Sequence, residues 1–257
     1  MAVKRWKLTI EYRGTDYCGW QRQEDGLPTI QQSIEHAIYK FCQQNITTTV
    51  AGRTDAGVHA TGQVLHMDLD YGDRPLTGFE LLKALNAHMR PQPISVIDAE
   101  VVADDFNARF DAINKLYRYR ILQRPAFPAI EQGLVWHVKK QLDVSAMQEG
   151  AKYLLGKHDF TTFRDSQCQA KSPVRTLDRL EIYAREYDIS GGREIIMEAE
   201  AQSFLHHQIR NFIGTLALVG EGKWQPEDVK TALEKCDRTA AGPTAPSDGL
   251  YLVRVDY

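Results

Sequence analysis

A glycine-rich turn between two strand-like runs is the feature that most restricts how this chain folds. The turn is Ala51–Gly62, and the runs on either side of it are Thr47–Val50 and Gln63–Leu69. Its glycines, at 52, 57 and 62, permit positive φ angles and let a ligand approach the backbone closely. Because a strand holds each end of the turn, we expect its single carboxylate, Asp55, to be presented at a fixed point.

The sequence alone leaves two interpretations of Asp55 open. Asp55 lies between Arg53 and His59, and an arginine in contact with a carboxylate favours the ionised form. In the first interpretation Asp55 is a catalytic carboxylate that Arg53 keeps charged. In the second, Asp55 closes an Asx-turn and Arg53 is a solvated loop residue. Aspartate and glycine are ordinary turn residues, so composition alone favours the second.

The whole chain has the composition of a soluble globular protein, with 257 residues, 43% of them hydrophobic and 25% charged. That length suits one large or two medium domains. The formal net charge of −3 gives no overall attraction to nucleic acid, so an RNA partner would need positive charge gathered on one face. The N-terminal residues lack an apolar signal core, and no apolar run approaches the roughly 20 residues of a membrane span. We expect a cytoplasmic protein.

The cysteines, at positions 18, 42, 168 and 236, are widely separated and form no C-x-x-C pair. This spacing argues against a zinc site and against a disulfide framework, and it fits a reducing compartment. Walker A, dinucleotide-binding, H-E-x-x-H and G-x-S-x-G motifs are absent from the sequence. Chemistry without a metal or cofactor, or binding alone, is what remains.

Hydrophobic periodicity predicts strands and helices in irregular alternation. Trp6–Tyr12 alternates apolar and polar residues like a half-buried strand. Thr29 and Thr77 are predicted helix caps, because Gln32 and Glu80 follow them by three residues, the spacing of a capping box. Further strands are predicted at 94–103, 113–122, 160–164, 175–187, 193–204 and 250–257, and helices at 29–41, 77–90, 143–155, 205–219 and 226–236. This order favours an α+β fold with a largely antiparallel sheet and helices packed on one side. Gln123–Ile130, with two prolines, is the predicted linker between residues 1–122 and 131–257.

Three segments have residues that suit RNA. The loop Arg13–Pro28 mixes Tyr17 and Trp20 with hydrogen-bonding groups that suit stacking on bases, although its rings would equally pin the loop to the core. Lysine or arginine at 109, 115, 118, 120 and 124 forms a basic stripe, for which the alternative is arginines on the wet face of a sheet. Asp165–Pro173 is a polar loop suited to phosphate or sugar contacts, although most such loops are simply solvated.

The apolar helix predicted at 205–219 contains one arginine, Arg210. A buried arginine there needs a carboxylate partner, and Asp55 is the candidate we favour. His206 would share a helical face with Arg210. The adjacent His206 and His207 would point in different directions and form a poor metal site.

Motifs that occur in order over nearly the whole chain resemble one family. Arg53–His59 is similar to the signature of the tRNA pseudouridine synthases that modify the anticodon stem-loop, a family often called TruA. The other similar blocks are Tyr12–Gln23, Asp105–Phe110 with Tyr117–Tyr119, Asp159–Arg164 and Phe204–Asn211. The resemblance implies conversion of uridine to pseudouridine at tRNA positions 38, 39 and 40, without metal or cofactor. It also implies a central antiparallel sheet from two related α/β halves with a cleft between, and a homodimer that binds tRNA across both subunits.

The same resemblance implies roles for individual residues. Asp55 falls on the catalytic aspartate, Tyr117 on the aromatic residue against the target base, and Arg53 on a residue tied to base flipping. Arg210 falls on the basic residue that pairs with the catalytic aspartate. The residues on tRNA-contacting segments are Phe106, Arg109, Gln167, Gln169 and Lys171.

The mechanism leaves alternatives open. Asp55 either attacks C1′ as a nucleophile or removes the C2′ proton. The competing functions are a non-catalytic RNA-binding protein, in which aromatic and arginine side chains only stack, and a metal-dependent hydrolase that uses Asp55, His59 and one of the two adjacent histidines. The hydrolase ranks last, because no regular spacing gathers those ligands.

Overall fold

The computed structural model describes residues 3–23, 26–72 and 75–257. Met1 and Ala2 of the N-terminal segment, and residues 24 and 25 of the predicted Arg13–Pro28 loop, lie outside this range. The chain divides into two compact units. The first is Met1–Ile113 with Leu252–Tyr257, and the second is Asn114–Tyr251.

The elements follow the predicted order closely. The strands are β1 (Lys4–Tyr12), β2 (Thr49–Val50), β3 (His59–Leu69), β4 (Ile94–Val102), β5 (Asn114–Gln123), β6 (Trp136–Val138), β7 (Gly156–Asp159), β8 (Val174–Leu177), β9 (Arg179–Glu186), β10 (Arg193–Ala201) and β11 (Leu250–Asp256). The helices are α1 (Ile30–Cys42), α2 (Gly78–Met89), α3 (Val144–Lys152), α4 (Gln208–Gly220) and α5 (Pro226–Glu234). Single 3-10 turns occupy Thr161–Phe163, Arg238–Ala240 and Ser247–Gly249.

In the first unit the strand order is β4-β1-β3, followed by β11. The short strand β2 pairs with Leu65 and His66 of β3. β1 is antiparallel to both of its neighbours, with Trp6 opposite Met67 on β3 and Val101 on β4. Alternate residues of β1 are buried, as its period-2 pattern predicts. α2 packs on β4, and α1 packs on α2.

Both helices of the first unit begin where their caps are predicted. The amide of Gln32 donates to the Thr29 hydroxyl at 3.3 Å. Thr77 and Glu80 form a reciprocal capping box, in which each residue accepts from the other's backbone N–H. A cap of this kind stabilises a helix by about 1 kcal/mol, because it satisfies amides that the helix leaves unpaired.

In the second unit, β10 lies between β5 and β9, with antiparallel pairing on both sides. β6 pairs with β5 in parallel, and β7 and β8 form a separate antiparallel pair. α4 is buried over most of its surface, and α3 packs against it. Each unit therefore combines helices with largely antiparallel strands, which confirms the predicted α+β class. No helix among residues 3–23, 26–72 and 75–257 is long and apolar enough to cross a membrane.

The division into units differs from the predicted halves. The units separate between Ile113 and Asn114, and the last six residues return to the first unit. Gln123–Ile130 lies within the second unit, because β6 follows it and pairs with β5. Arg124 also ties this segment to the β9–β10 hairpin through an ion pair with Asp188 at 2.9 Å.

The strand predicted at 160–164 is wrong. Gly156, with φ of +94°, opens β7 four residues earlier, and Thr161–Phe163 forms a 3-10 turn. This turn brings Phe160 and Phe163 onto the same ring of α4, with centroids 5.4 and 5.1 Å from that of Phe212. Burial of both aromatic rings on one helix requires a turn rather than an extended backbone.

Candidate active site

Asp55 lies in the turn that joins β2 to β3. Ala51 N donates to Val64 O at 2.8 Å where the turn begins, and Val58 N donates to Asp55 O at 3.2 Å where it closes. Gly57 has φ of +79°, which a residue with a side chain rarely adopts. β3 begins at His59, so four residues assigned to the turn belong to the strand. Asp55 is half-buried and Arg53, two residues earlier, is exposed.

The segment after β1 is bound tightly to this turn. Trp20 N donates to Thr54 O at 3.0 Å, and Gly57 N donates to Tyr17 O at 3.2 Å. The Tyr17 and Trp20 side chains are only 8% and 1% exposed. These two rings therefore anchor the loop to the core, and of the two open interpretations of the loop the anchoring one is correct for them.

Two glycines make this close approach possible. A Cβ on Gly14 would overlap the carbonyl oxygen of Val58, and a Cβ on Gly19 would lie 2.8 Å from the carbonyl oxygen of Thr54. Gly14 N also donates to Nδ1 of His59 at 3.0 Å, which fixes that ring. The turn is thus held by neighbouring backbone as well as by its two strands.

Tyr117 lies in the middle of β5, directly opposite Ala199 on β10. Its half-buried ring meets Phe204 edge-on, with centroids 5.2 Å apart and planes at 83°. Because Ala199 contributes only a methyl group, the ring is supported by Phe204 at its edge. The contact with Phe204 therefore restricts the orientation of the Tyr117 ring.

The two arginines of the basic stripe that lie on β5, Arg118 and Arg120, are on the opposite face of the strand from Tyr117 and are compensated by acidic residues. Arg118 pairs with Glu198 at 2.7 Å, and Arg120 pairs with Glu194 at 2.6 Å and with Glu131 at 2.9 Å. For Arg118 and Arg120 this arrangement favours the alternative, arginines on the wet face of a sheet, and RNA binding by them stays a prediction.

Burial raises the pKa of the Glu194 carboxyl, but its hydrogen bonds and ion pairs with Arg120 and Arg185 outweigh burial and hold that pKa below its usual range. Glu194 is 1% exposed, and Arg185 binds its second oxygen at 2.5 Å. Because Arg120 also binds Glu131, these two guanidinium groups face two carboxylates, which leaves little net positive charge here.

Arg210 lies in the first turn of α4 and is half-buried. Its Nε donates to the carbonyl oxygen of Ala245 at 2.8 Å, and Ala245 N donates back to Arg210 O at 3.1 Å. The next residue, Asn211, is fully buried and accepts from both Arg238 and Thr244. The loop after the 238–240 turn therefore fixes the start of this helix. The pairing of Arg210 with Asp55 stays a prediction.

The two adjacent histidines differ from expectation. α4 begins at Gln208, so His206 lies outside the helix and shares no helical face with Arg210. His207 precedes the helix with φ of +60°, and the two imidazole rings lie side by side with centroids 4.0 Å apart. They point in a similar direction because a left-handed residue, rather than a strand or a helix, joins them. Asp165 binds Nδ1 of His207 at 2.7 Å.

The loop 165–173 is organised around Asp165. Its Oδ1 accepts from the amide of Gln167 at 2.7 Å, and its backbone amide donates to His206 O at 2.9 Å. Burial raises the pKa of Asp165, but the Gln167 amide and His207 outweigh burial, so the pKa is lowered. The three predicted contact residues of this loop are all exposed: Gln167, Gln169 and Lys171.

The segment 106–110 is fixed by residues that the sequence did not single out. Nδ1 of His66 accepts from Ala108 N at 3.0 Å, and burial lowers the pKa of this histidine, which favours the neutral acceptor. The hydroxyl of Tyr257 donates to Ala108 O at 2.8 Å. The Phe106 ring packs on Tyr257 with centroids 4.9 Å apart, whereas Arg109 is exposed. Period 2 places His66 on the face of β3 that carries Asp68, opposite Leu65 and Met67, so the sequence gives no sign of its burial or of its partner.

The comparisons with known proteins agree on one family. A family model described as tRNA pseudouridine synthase matches residues 8–111 and 151–257. The chain belongs to the tRNA pseudouridine synthase family. Its relatives in this family include tRNA pseudouridine synthase A of Rhodospirillum rubrum, 53% identical over 253 residues that cover 98% of this chain and 87% of that protein. The protein of the same name from Rhodospirillum centenum is 51% identical, with 99% and 100% covered. That from Rhizobium meliloti is 50% identical, also with 99% and 100% covered.

The tRNA pseudouridine synthase match includes most of the predicted site. The Asp55 turn, the segment 106–110, the loop 165–173 and α4 all lie within the matched stretches. β5 with Tyr117 lies between the two stretches, and the role of Tyr117 stays a prediction from the resemblance of Tyr117–Tyr119.

Proposed function

We propose that this protein converts uridine to pseudouridine in the anticodon stem-loop of tRNA, with Asp55 as the catalytic carboxylate. The observation that carries the proposal is the family match over both units, which includes the turn that holds Asp55. That turn is bound on both sides by backbone hydrogen bonds, as a site that must hold a reacting group to within a fraction of an ångström requires.

The reaction explains why one carboxylate is a sufficient tool. The N1–C1′ bond of the nucleotide breaks, the uracil turns, and C5 bonds to C1′. C5 gives up its hydrogen as a proton and N1 gains one, so the product is an isomer of the substrate. No electrons are transferred to or from a cofactor. Ionised Asp55 either attacks C1′ or removes the C2′ proton, and both routes begin from the same charged group.

The target base must leave its stack before Asp55 reaches C1′, which costs a few kcal/mol. We assign Arg53 to the space that the base leaves, since its side chain is exposed beside the turn. Tyr117 stacks on the extruded uracil, an interaction worth roughly 1–3 kcal/mol. We assign Arg210 to pair with Asp55, and the hydrogen bond from its Nε to Ala245 O holds that guanidinium in place.

Binding of tRNA is assigned to exposed groups on both units. Arg109, Gln167, Gln169 and Lys171 are exposed and suit phosphate and sugar contacts. The Phe106 ring packs on Tyr257, so we assign it to support of the Arg109 segment. With a net charge of −3, attraction to the phosphates depends on basic side chains gathered locally, and Arg109 and Lys171 are two exposed ones. The family resemblance implies a homodimer with tRNA across both subunits, and we propose that the protein acts in the cytoplasm.

The test is to incubate the protein with unmodified tRNA, without added metal or cofactor and with a chelator present, and to map any pseudouridine formed. We expect product within the anticodon stem-loop. Asp55→Asn should bind tRNA within about twofold of wild type and form no product. The proposal is wrong if tRNA is bound but unmodified by the wild-type protein, or if Asp55→Asn retains near-normal activity.

A further inference from the structure

A chain of three buried polar side chains lies under the Asp55 turn. Tyr12 on β1 is 4% exposed, Thr54 in the turn 7%, and Gln63 on β3 is fully buried. The Tyr12 hydroxyl lies 2.8 Å from Oγ1 of Thr54. Nε2 of Gln63 donates to Gly52 O at 2.7 Å and to the Tyr12 hydroxyl at 3.4 Å. We call Gln63, Tyr12 and Thr54 the turn-supporting chain.

The hydrogen bonds that Gln63 makes have a defined direction. Oε1 of Gln63 accepts from Val64 N at 3.2 Å, so its amide NH₂ group is the one that faces Gly52 and Tyr12. The Tyr12 oxygen then accepts from Gln63, and in its hydrogen bond with Oγ1 of Thr54 either hydroxyl can donate. Burial raises the pKa of Tyr12 to about 12, so this hydroxyl keeps its proton near neutral pH.

The turn-supporting chain meets the turn on both sides of Arg53. Gln63 binds the carbonyl of Gly52, the residue before Arg53, and Tyr12 binds the side chain of Thr54, the residue before Asp55. We propose that Gln63, Tyr12 and Thr54 are positioning residues that set the location of Asp55 and Arg53 for the isomerisation. This inference rests on the proposed function.

Loss of one hydroxyl should displace the turn without unfolding it. The carbonyl of Thr54 still accepts from Trp20 N, and Gly57 N still donates to Tyr17 O. A reacting group misplaced by about 1 Å costs on the order of 100-fold in rate, so a shift of about 0.5–1 Å should cost about 10- to 100-fold. Affinity for tRNA, which depends on contacts elsewhere, should stay nearly constant.

The test compares Tyr12→Phe and Thr54→Val with Thr54→Ser, which keeps the hydroxyl. Saturating enzyme acts once on tRNA labelled with tritium at uracil C5, and tritium released to water reports product. The same preparations give the dissociation constant for tRNA and the melting temperature. Tyr39→Phe, at a 40% exposed position on α1, is the matched control.

We expect the single-turnover rate to fall about 10- to 100-fold in Tyr12→Phe and Thr54→Val. The dissociation constant should stay within about twofold, Thr54→Ser should recover most of the rate, and Tyr39→Phe should match wild type. The inference is overturned if the rates are unchanged, if affinity falls as far as rate, or if Thr54→Ser loses as much as Thr54→Val. If Tyr12→Phe does not fold, the two Thr54 variants decide.

Failure of the inference is distinct from failure of the proposed function. A wild-type protein that releases tritium while all the variants match it overturns only the positioning role. A wild-type protein that binds tRNA and releases none overturns the proposed function, and the positioning role with it.

Discussion

Replacement of Glu194 by glutamine removes a buried negative charge from the ion-paired face of the second unit. Glu194 is 1% exposed and binds Arg120 at 2.6 Å and Arg185 at 2.5 Å. The Arg185 side chain is 65% exposed, so that pair is screened and contributes at most about 1 kcal/mol. Arg120 is 20% exposed and keeps its second partner, Glu131, in the variant.

The expected loss of folding stability follows from these two ion pairs. A hydrogen bond to a charged group contributes about 1.5–3 kcal/mol, and the glutamine oxygen can still accept one bond from Arg120. We therefore expect Glu194→Gln to lower the free energy of unfolding by about 2 kcal/mol at pH 7. Loss of a buried pair with no remaining partner would cost about 3–5 kcal/mol.

The stability difference between wild type and Glu194→Gln depends on pH with a definite sign. The pKa of Glu194 is lower in the folded protein than the unfolded value of 4.5, so the stabilisation by its charge is fully present above pH 4.5. It is lost as pH falls from 4.5 through the folded pKa, because the carboxyl then becomes protonated in both states. The difference between wild type and Glu194→Gln should therefore shrink as the pH is lowered through this range.

The assay is urea denaturation followed by circular dichroism at several pH values between 7 and the acid limit of the fold. Glu181→Gln is the matched control, because Glu181 is 57% exposed and pairs with Arg179 at 2.8 Å on β9. That variant should lose less than about 1 kcal/mol. The reasoning fails if the two variants are equally stable at pH 7, or if the Glu194 difference persists unchanged into acid.

Two further predictions concern the site. Gly19→Ala should lower stability by roughly 1–3 kcal/mol and slow pseudouridine formation, because Gly19 has φ of +92° and the new Cβ meets Thr54 O. Gly26→Ala, where φ is +68° and the space is open, is the control for backbone strain without a contact. An equal loss of stability in both variants, measured by urea denaturation, would contradict the contact argument. Tyr257→Phe removes the hydrogen bond to Ala108 O and should weaken tRNA binding about two- to tenfold at an unchanged saturating rate. Filter binding measures this, and a slower saturating rate at full affinity would count against a supporting role.

Local patterns predicted most elements because their causes are local. The alternation along β1 and the caps at Thr29 and Thr77 involve residues within one or two turns of each other, and each appears where it is expected. The 3-10 turn at Thr161–Phe163 was missed, because its cause is the burial of Phe160 and Phe163 on Phe212, about 50 residues away.

The histidine pair and the basic stripe differ from expectation for a related reason. The side-by-side His206 and His207 rings depend on a left-handed backbone at His207, which no sequence period signals. The arginines of β5 looked like an RNA surface because their acidic partners are remote: Arg118 and its partner Glu198 are 80 residues apart in the chain.

By itself, the sequence determined the α+β class, the order of strands and helices, and the family, since these depend on short-range periodicity and on motifs in sequence order. The tertiary structure decided which charges are compensated, which rings are anchors, and which buried hydroxyls and amides support the Asp55 turn. Register between strands brings together residues that are far apart in the chain. A buried polar group must then bind whichever partner that register supplies.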